Sequence, residues 1–459
     1  MKRTVKTVEC VVMGMSLRVF NVRPGEVYRV SVMALLLFLL IAANNLIKIL
    51  RDSIFLGHHS VSELPYLYIL VALCAGVIIA TYARYTVHLS MVRLILATNA
   101  LMVLAVIGFW YLLTYIDPGW SHYAFYIWSA MATVIAVAQL WTLAGQLFTP
   151  DEGKRLFGLV AAGGTLGGVA AGFGAKWTLH LAADSNHLLW VVVALYLAAS
   201  LMICVSHRRL GTTVAMPEIV SPQSTDAVTG DNIFAHLAAS SYLKTIAAVI
   251  LVSVVVSTLI DFELKTAAKD IYPSKSALAG FFSAYYGWLS VATLFAQVVL
   301  TGKAIKKLGL NSSLYLTPVV LMGGSLAIMI WPSLFVAALT RIADAALRNS
   351  IHRSSLEIVY MGVPANIKKA LKTFLDVVVE RVGDAGAGFI ILFFSLASVA
   401  SHKAHVHIIC VGLIFVWMVL IRFLRAGYAE ALRQGVLPLE PSLPSGSEAT
   451  APAKLSSGD

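Results

Sequence analysis

Val32-Met33-Ala34-Leu35-Leu36-Leu37-Phe38-Leu39-Leu40-Ile41-Ala42-Ala43 runs without a polar side chain, and Asn44-Asn45-Leu46-Ile47-Lys48-Ile49-Leu50-Arg51-Asp52 follows it directly. A helix needs about 20 mainly apolar residues to cross the hydrocarbon core. The segment 31–56 supplies them, yet it carries Lys48, Arg51 and Asp52 inside the span. Charge at the bilayer centre costs roughly 2.5–3.5 kcal/mol even on the lenient scale, so such residues face a bundle interior and carry function by default. The helix therefore belongs to a bundle with a polar interior.

Composition extends that reading to the whole chain of 459 residues, which is 59% apolar and 12% charged, with a mean hydropathy of +0.82. Soluble proteins carry about 25% charged residues, and disordered chains have low hydrophobicity. The four cysteines are scattered, so a disulfide scaffold is excluded as well. Twelve spans follow, at 31–56, 65–83, 92–116, 122–148, 155–180, 187–206, 243–268, 277–301, 311–330, 332–356, 374–400 and 405–424. The net charge of +11 reflects loop asymmetry rather than a nucleic-acid partner. Arg18, Arg23, Arg29, Arg93, Arg155, Arg208, Arg209, Lys303, Lys306, Arg353, Lys368 and Arg425 all fall on one side of the twelve-span count, whereas the other side holds little beyond Lys269, Lys275 and Lys403. By the positive-inside rule both termini are cytoplasmic.

The expected organisation is an N-terminal segment 1–30, a six-helix bundle 31–207, a linker 208–240 with Pro217, Pro222 and Gly230, a second bundle 241–425 and a Pro/Ser/Gly-rich tail 426–459. Two local matches relate the bundles. Leu46-Ile47-Lys48 resembles Leu259-Ile260-Asp261 at a spacing of 213 residues, and Pro150 with Lys154 and Arg155 resembles Pro364 with Lys368 and Lys369 at 214. Parallel six-span repeats build the major facilitator fold, with the substrate between them near the midplane. The fold class is thus all-α integral membrane, with twelve transmembrane helices in two pseudo-repeats.

The polar residues of four spans repeat at helical spacing. Asn44, Lys48, Arg51 and Asp52 share a face of span 1, where Lys48 and Arg51 suit an anionic substrate or, for Arg51 and Asp52, simply end the helix. Asp261 and Lys265 stand four apart in span 7, so function and self-neutralisation are both open, and Glu263 lies on another face. Arg341, Asp344, Arg348 and His352 stripe span 10, where guanidinium forks suit phosphate or carboxylate. Lys372, Asp376, Glu380 and Asp384, with Arg381 alongside, stripe span 11 as a salt-bridge ladder that either packs or gates. Substrate contacts are therefore expected from Asn44, Lys48, Arg51, Arg341 and Arg348, and coupling or gating from Asp52, Asp261, Lys265, Asp344, Asp376, Glu380, Arg381 and Asp384.

Gly163, Gly164, Gly167, Gly168, Gly172 and Gly174 crowd span 5, and Gly383, Gly386 and Gly388 span 11. Small residues let helices approach closely, and the run lacks the order of a phosphate loop. Histidines 58, 59, 122, 180, 187, 402, 405 and 407 fall on the outer side, where they replace Lys and Arg, and no metal is assigned to them. No nucleophile–base pair, zinc motif or cofactor loop appears, so the chain is not read as an enzyme and no cofactor is implied.

These residues resemble the bacterial and plastid ATP/ADP carrier family, in its free-living bacterial branch. The resemblance rests on Asn44–Asp52, on Asp151-Glu152-Gly153-Lys154-Arg155-Leu156-Phe157-Gly158 through Gly167, and on Arg341-Ile342-Ala343-Asp344 through Arg353 and on to Phe374–Asp384. It covers roughly 30–425 and implies a major-facilitator-like antiporter exchanging ATP and ADP; the chain is expected to act as a monomer in the lipid bilayer of a bacterial inner membrane. Lys48 matches the family's span 1 lysine. The sequence departs from the family in spans 4 and 8, where Gln139, Gln146 and Gln297 stand and no acid lies in the interior. Two alternatives stay open: a non-transporting scaffold or sensor, and a transporter of an amphiphile lined by Phe281, Phe282, Tyr285, Tyr286 and Trp288.

Overall fold

A computed structural model describes residues 22–433 apart from 24, 86–89, 182–184, 211–235, 239, 364 and 397–401. Most of the N-terminal segment, most of the linker 208–240 and the end of the tail lie outside the described residues, as do the side chains of His402 and His405. The described chain is almost wholly helical. The helices are α1 (Val27–His58), α2 (Leu64–Tyr85), α3 (Met91–Tyr111), α4 (Gly119–Leu147), α5 (Pro150–Leu181) and α6 (Leu188–Leu210). After the linker come α7 (Ser241–Ile271), α8 (Lys275–Phe295), α9 (Thr301–Ile330), α10 (Leu334–Leu347), α11 (Glu380–Leu396) and α12 (His402–Arg433).

Ten stretches of helix among the described residues are long and apolar enough to cross a membrane. Of the expected spans 332–356 and 374–400, the described parts 334–356 and 374–396 are helical but interrupted. A π-turn at Arg348–His352 joins α10 to a continuation at Arg353–Val359, and another at Leu375–Val379 joins a helix begun at Ala365 to α11. These two segments carry the densest charge, so protein contacts rather than lipid must stabilise them. The break expected after 301 is also helical, because α8 runs through a π-turn at Ala296–Leu300 into α9.

Contacts fix the helix directions. At one end, called here the His58 end, the close of α1 meets the start of α4 through His59 and His122, and the α7–α8 turn through Gly57 and Lys275. At the other, the Arg29 end, the start of α1 meets the end of α4 and the start of α5. There Tyr242 of α7 donates to the Val359 carbonyl at 2.7 Å and packs on Gly427 of α12.

Helix α1 packs on α4, α5 and α6, and α7 on α10, α11 and α12. The N-terminal helices meet the C-terminal ones mainly where α5 and α1 pack on α8 and where α2 packs on α11. Glycine makes these seams possible. A Cβ at Gly168 would stand 2.6 Å from both Asn45 Nδ2 and Ser290 Oγ, and one at Gly172 would strike the Gly287 backbone. In α11 a Cβ at Gly388 would stand 2.8 Å from the Pro65 carbonyl. The glycine runs are thus used for close packing. Leu73, Leu104, Leu201, Phe393 and Phe423 are exposed around the outside, an apolar girdle suited to a bilayer. Inside, Phe55, Phe125, Tyr196 and Trp417 are fully buried.

Candidate functional site

The charged residues of α1, α7 and α10 meet in one buried cluster between the N- and C-terminal helices. Asp52 is its pivot. It takes Arg51 Nε at 2.9 Å, Lys265 Nζ at 3.3 Å and the Tyr286 hydroxyl at 2.7 Å, with its side chain sealed from solvent. Lys265, only 2% exposed, also reaches Asp261 at 2.8 Å. Asp261 passes the chain to Arg341 at 3.2 Å, and Arg341 to Asp344 at 2.6 Å. Asp344 then holds Arg348 at 3.2 Å and accepts from Ser257 at 2.6 Å. Arg348 also donates to the Ser253 carbonyl at 2.7 Å.

Tyrosines line this chain. Tyr68 of α2 donates to Asp261 at 3.4 Å, and Tyr126 of α4 accepts from Lys265 at 3.2 Å. The Arg51 guanidinium lies 4.7 Å from the centre of the Tyr126 ring, where the ring quadrupole attracts a cation. Buried charges persist only when paired and hydrogen-bonded, and Asp52, Asp261 and Asp344 each meet that condition here.

Lys48 differs from its neighbours. It lies within electrostatic reach of Arg51, Asp52, Arg341 and Asp261, but it has no hydrogen bond or ion pair among the described residues. Five cations (Lys48, Arg51, Lys265, Arg341, Arg348) therefore share the region with three carboxylates (Asp52, Asp261, Asp344). Among the described residues the region carries an excess of positive charge and offers one cation without a hydrogen-bond or ion-pair partner.

The other expected site residues are placed differently. Asn44 is buried against α6, where it accepts from Tyr196 at 3.3 Å and its Nδ2 has no partner. The span 10 stripe divides at the π-turn. Arg341 and Arg348 both turn to Asp344, whereas His352 is buried edge-on against Trp417 of α12, with ring centres 5.4 Å apart. The span 11 stripe stays among C-terminal helices. Lys372 pairs with Glu357, Arg381 with Asp384 at 2.7 Å and with Glu380 at 3.7 Å, and Asp384 accepts from Thr258 of α7 at 2.9 Å. Asp376 lies among the charges of Arg353, Lys372 and Glu357. Of the aromatic set in α8, Tyr285 and Tyr286 are turned inward, and Trp288 is exposed beside Phe173.

Sequence reading did not find the tyrosine partners. Tyr68 and Tyr126 lie near span ends, where interfacial tyrosines are common, and only their contacts distinguish them. A second unforeseen group staples α1 to α5 at the Arg29 end. Arg29 pairs with Glu152 at 2.9 Å and donates to the Leu147 carbonyl at 3.0 Å, and Arg155 pairs with Glu26 at 2.8 Å. Burial works against the charge on Glu26, but the Arg155 side chain and the Arg23 amide outweigh it and hold the carboxyl below its usual 4.5. The Thr149 amide does the same for Glu152 against burial, with help from Arg29. A separate cavity of about 240 Å³ lies beside α7 and α12, lined by Phe262, Glu263, Asp270, Pro332 and His407. It holds none of the central cluster.

A polytopic helical bundle with a buried, positively biased cluster between its N- and C-terminal helices defines a membrane transporter architecture. Comparison with solved structures gives the same fold. The nucleoside transporter NupG has a TM-score of 0.60 at 12% identity over 87% of this chain and 98% of its own. A bacterial homologue of the iron transporter ferroportin, in an inward-facing state, scores 0.58 at 13% identity over 88% and 98%. At the sequence level the TLC ATP/ADP transporter family model matches residues 95–331 and 328–428. The chain belongs to the TLC ATP/ADP transporter family.

Curated relatives include ADP,ATP carrier protein 2 of Chlamydia pneumoniae, 24% identical over 377 residues (70% of this chain, 69% of that protein). ADP,ATP carrier protein 4 of Rickettsia felis is 23% identical over 471 residues, 87% of this chain and 90% of its own. The chloroplastic ADP,ATP carrier protein 2 of Arabidopsis thaliana is 21% identical over 352 residues. There the match spans 70% of this chain and 57% of the relative's length.

Proposed function

We propose that the protein is a secondary transporter that exchanges phosphorylated anions, of the ATP/ADP type, by alternating access. The observation that carries this is Lys48, an unpaired cation in a buried cluster with more cations than acids. A polyphosphate is the natural partner of such a cluster, since guanidinium forks bind phosphate oxygens bidentately. The names of the relatives agree with this substrate class. Lys48, Arg51, Arg341 and Arg348 take the anion, and Asn44 supports α1 from behind through Tyr196.

Rocking of two six-helix bundles, 31–207 and 241–425, about their seam is the standard route to alternating access. The crossing contacts Asp52–Lys265, Lys269 to the Leu56 carbonyl, and Lys275 to Asn186 at 2.8 Å then form the gate at the His58 end. A bound anion competes with Asp52, Asp261 and Asp344 for their cations, and this couples occupancy to gate opening. Asp376, Glu380, Arg381 and Asp384 make their contacts within the C-terminal helices and act on gating through α11, which packs on α2. The distribution of Lys and Arg orients the Arg29 end to the cytoplasm of a bacterial inner membrane, and the carrier works as a monomer.

The test is exchange in liposomes. Protein reconstituted into vesicles preloaded with ADP should take up labelled ATP, and empty vesicles should not. Equal uptake into empty and loaded vesicles would eliminate the exchange mechanism. No uptake from folded protein would eliminate nucleotide as the substrate.

A further inference from the structure

Three histidines and two carboxylates meet at the His58 end, away from the central cluster. His58 closes α1 and His59 follows it; Glu63 ends the short turn Val61–Glu63. Asp117 sits in the α3–α4 turn at φ 45°, and His122 is in the first turn of α4.

Their contacts link the rings and carboxylates into one network. The Tyr123 hydroxyl donates to Glu63, so its hydrogen is already committed. His59 Nδ1 faces Glu63 Oε2 at 3.2 Å and Tyr123 Oη at 3.3 Å, and a proton on this nitrogen donates to the carboxylate. In a neutral ring this leaves a lone pair on His59 Nε2, which accepts from His122 Nδ1 at 3.1 Å. The second nitrogen of His122, Nε2, is then a bare lone pair 2.9 Å from Asp117 Oδ1. With the rings neutral in these tautomers, a cation, either a proton or a metal ion, has to lie between His122 and Asp117. His58 repeats the pattern. Its Nδ1 donates to the Ile54 carbonyl at 2.8 Å, which leaves Nε2 as a lone pair 3.9 Å from Asp117 Oδ2. Ligand atoms of His58, Asp117 and His122 all lie within 4.8 Å of one another.

We infer that His58 Nε2, His122 Nε2 and the Asp117 carboxylate form a binding site for a divalent transition metal of the zinc class. Two imidazoles and one carboxylate suit zinc and its first-row neighbours rather than calcium or magnesium. His122 Nε2 stands 2.9 Å from Asp117 Oδ1 and His58 Nε2 3.9 Å from Oδ2, and one ligand atom from each residue lies within 4.8 Å of the others, so small side-chain movements reach the roughly 3.3 Å edge of a tetrahedron with metal–ligand bonds of about 2.0–2.1 Å.

The second layer is also present. Glu63 and His59 stand behind His122, and the Ile54 carbonyl stands behind His58, each setting the tautomer of a ligand ring as metal sites require. The His58 and His122 rings stack at 4.3 Å, so ligation swings the His58 ring out of the stack. At 33% side-chain exposure it has the room, and Asp117 at 47% leaves the remaining coordination positions to water. The site adjoins the contact of Gly57 with Lys275, so a bound ion would brace α1 where the N- and C-terminal helices touch.

The test uses full-length protein without a polyhistidine tag, stripped with chelator and titrated with Co²⁺ as a spectroscopic probe. One Co²⁺ per chain should bind, show visible ligand-field absorption and be displaced by Zn²⁺. Asp117→Asn keeps a residue that tolerates the left-handed backbone, so the variant folds, and it should lose the absorption. His122→Asn should lose it too. Glu63→Gln should weaken binding about 10–100-fold by releasing His59. His180→Asn, at an exposed position in the last turn of α5, should bind as wild type does. Absorption that survives both Asp117→Asn and His122→Asn would overturn the assignment. So would wild-type protein that binds no Co²⁺ at neutral pH, in which case a proton fills the gap between His122 and Asp117.

Discussion

Asp52–Lys265 and Arg29–Glu152 are both ion pairs made by α1, one near each end of the helix. The first is sealed, with side chains 0% and 2% exposed, and it joins helices from opposite sides of the linker. The second is partly open, at 19% and 17%, and it joins α1 to α5 on the same side of the linker. A sealed pair is held by desolvation as much as by attraction, because removing one partner strands the other in a low-dielectric interior. A partly open pair loses little when broken, because water replaces the partner. The sealed pair is therefore where a ligand's charge acts with most force, and the open pair is a staple that keeps α1 and α5 moving together.

The largest effect should come from the cation that has no partner. Lys48→Ala should cut nucleotide exchange on the order of 100-fold, a loss of about 2.7 kcal/mol in transition-state terms, while the melting temperature stays put. Normal exchange by that variant would remove Lys48 from the substrate site. Next comes Lys265→Met, which takes from Asp52 and Asp261 one of the two cations each holds and leaves them to Arg51 and Arg341; it should destabilise the protein in detergent melts by less than the roughly 3–5 kcal/mol of a fully stranded charge. Asp52→Asn should cost at least as much, because it leaves Arg51 without its carboxylate. A single variant that melts like wild type would erase the distinction between the two pairs.

Gly168→Val tests the seam itself. Its side chain meets Asn45 and Ser290, and such overpacking should cost about 1–3 kcal/mol and slow exchange. Arg29→Gln should cost no more than about 1 kcal/mol in the same melts.

The Arg29 end also has a pH signature. Glu26 and Glu152 have folded pKa values held below 4.5. Their contribution to stability is therefore present above that value and fades as the pH falls through the lower folded values. Melting temperature should drop on acidification below about 4.5, and the Glu26→Gln/Glu152→Gln variant should show a shallower drop.

Much of the fold was legible in the chain. Apolar runs of membrane length marked the spans, and steps of three and four picked out Arg341, Asp344 and Arg348 as one face. These signals are local, so a helix's own period reveals them. The interruptions were not legible. A π-turn adds a residue to a helical turn without any required side chain, and the turn at Arg348–His352 carries His352 away to Trp417. The partners of the charges were equally hidden. Nothing in the order of residues says that Tyr286 caps Asp52, a contact across 234 positions.

By itself the sequence determined that the chain is a helical membrane protein with charge on the inner faces of α1, α7 and α10, because hydrophobicity and helical period are properties of neighbouring residues. Tertiary structure alone decided that Asp52, Asp261 and Asp344 are paired with cations, that Lys48 has no ion-pair partner among the described residues, and that His58, Asp117 and His122 converge. Those outcomes depend on which helices lie side by side, and long-range packing sets that.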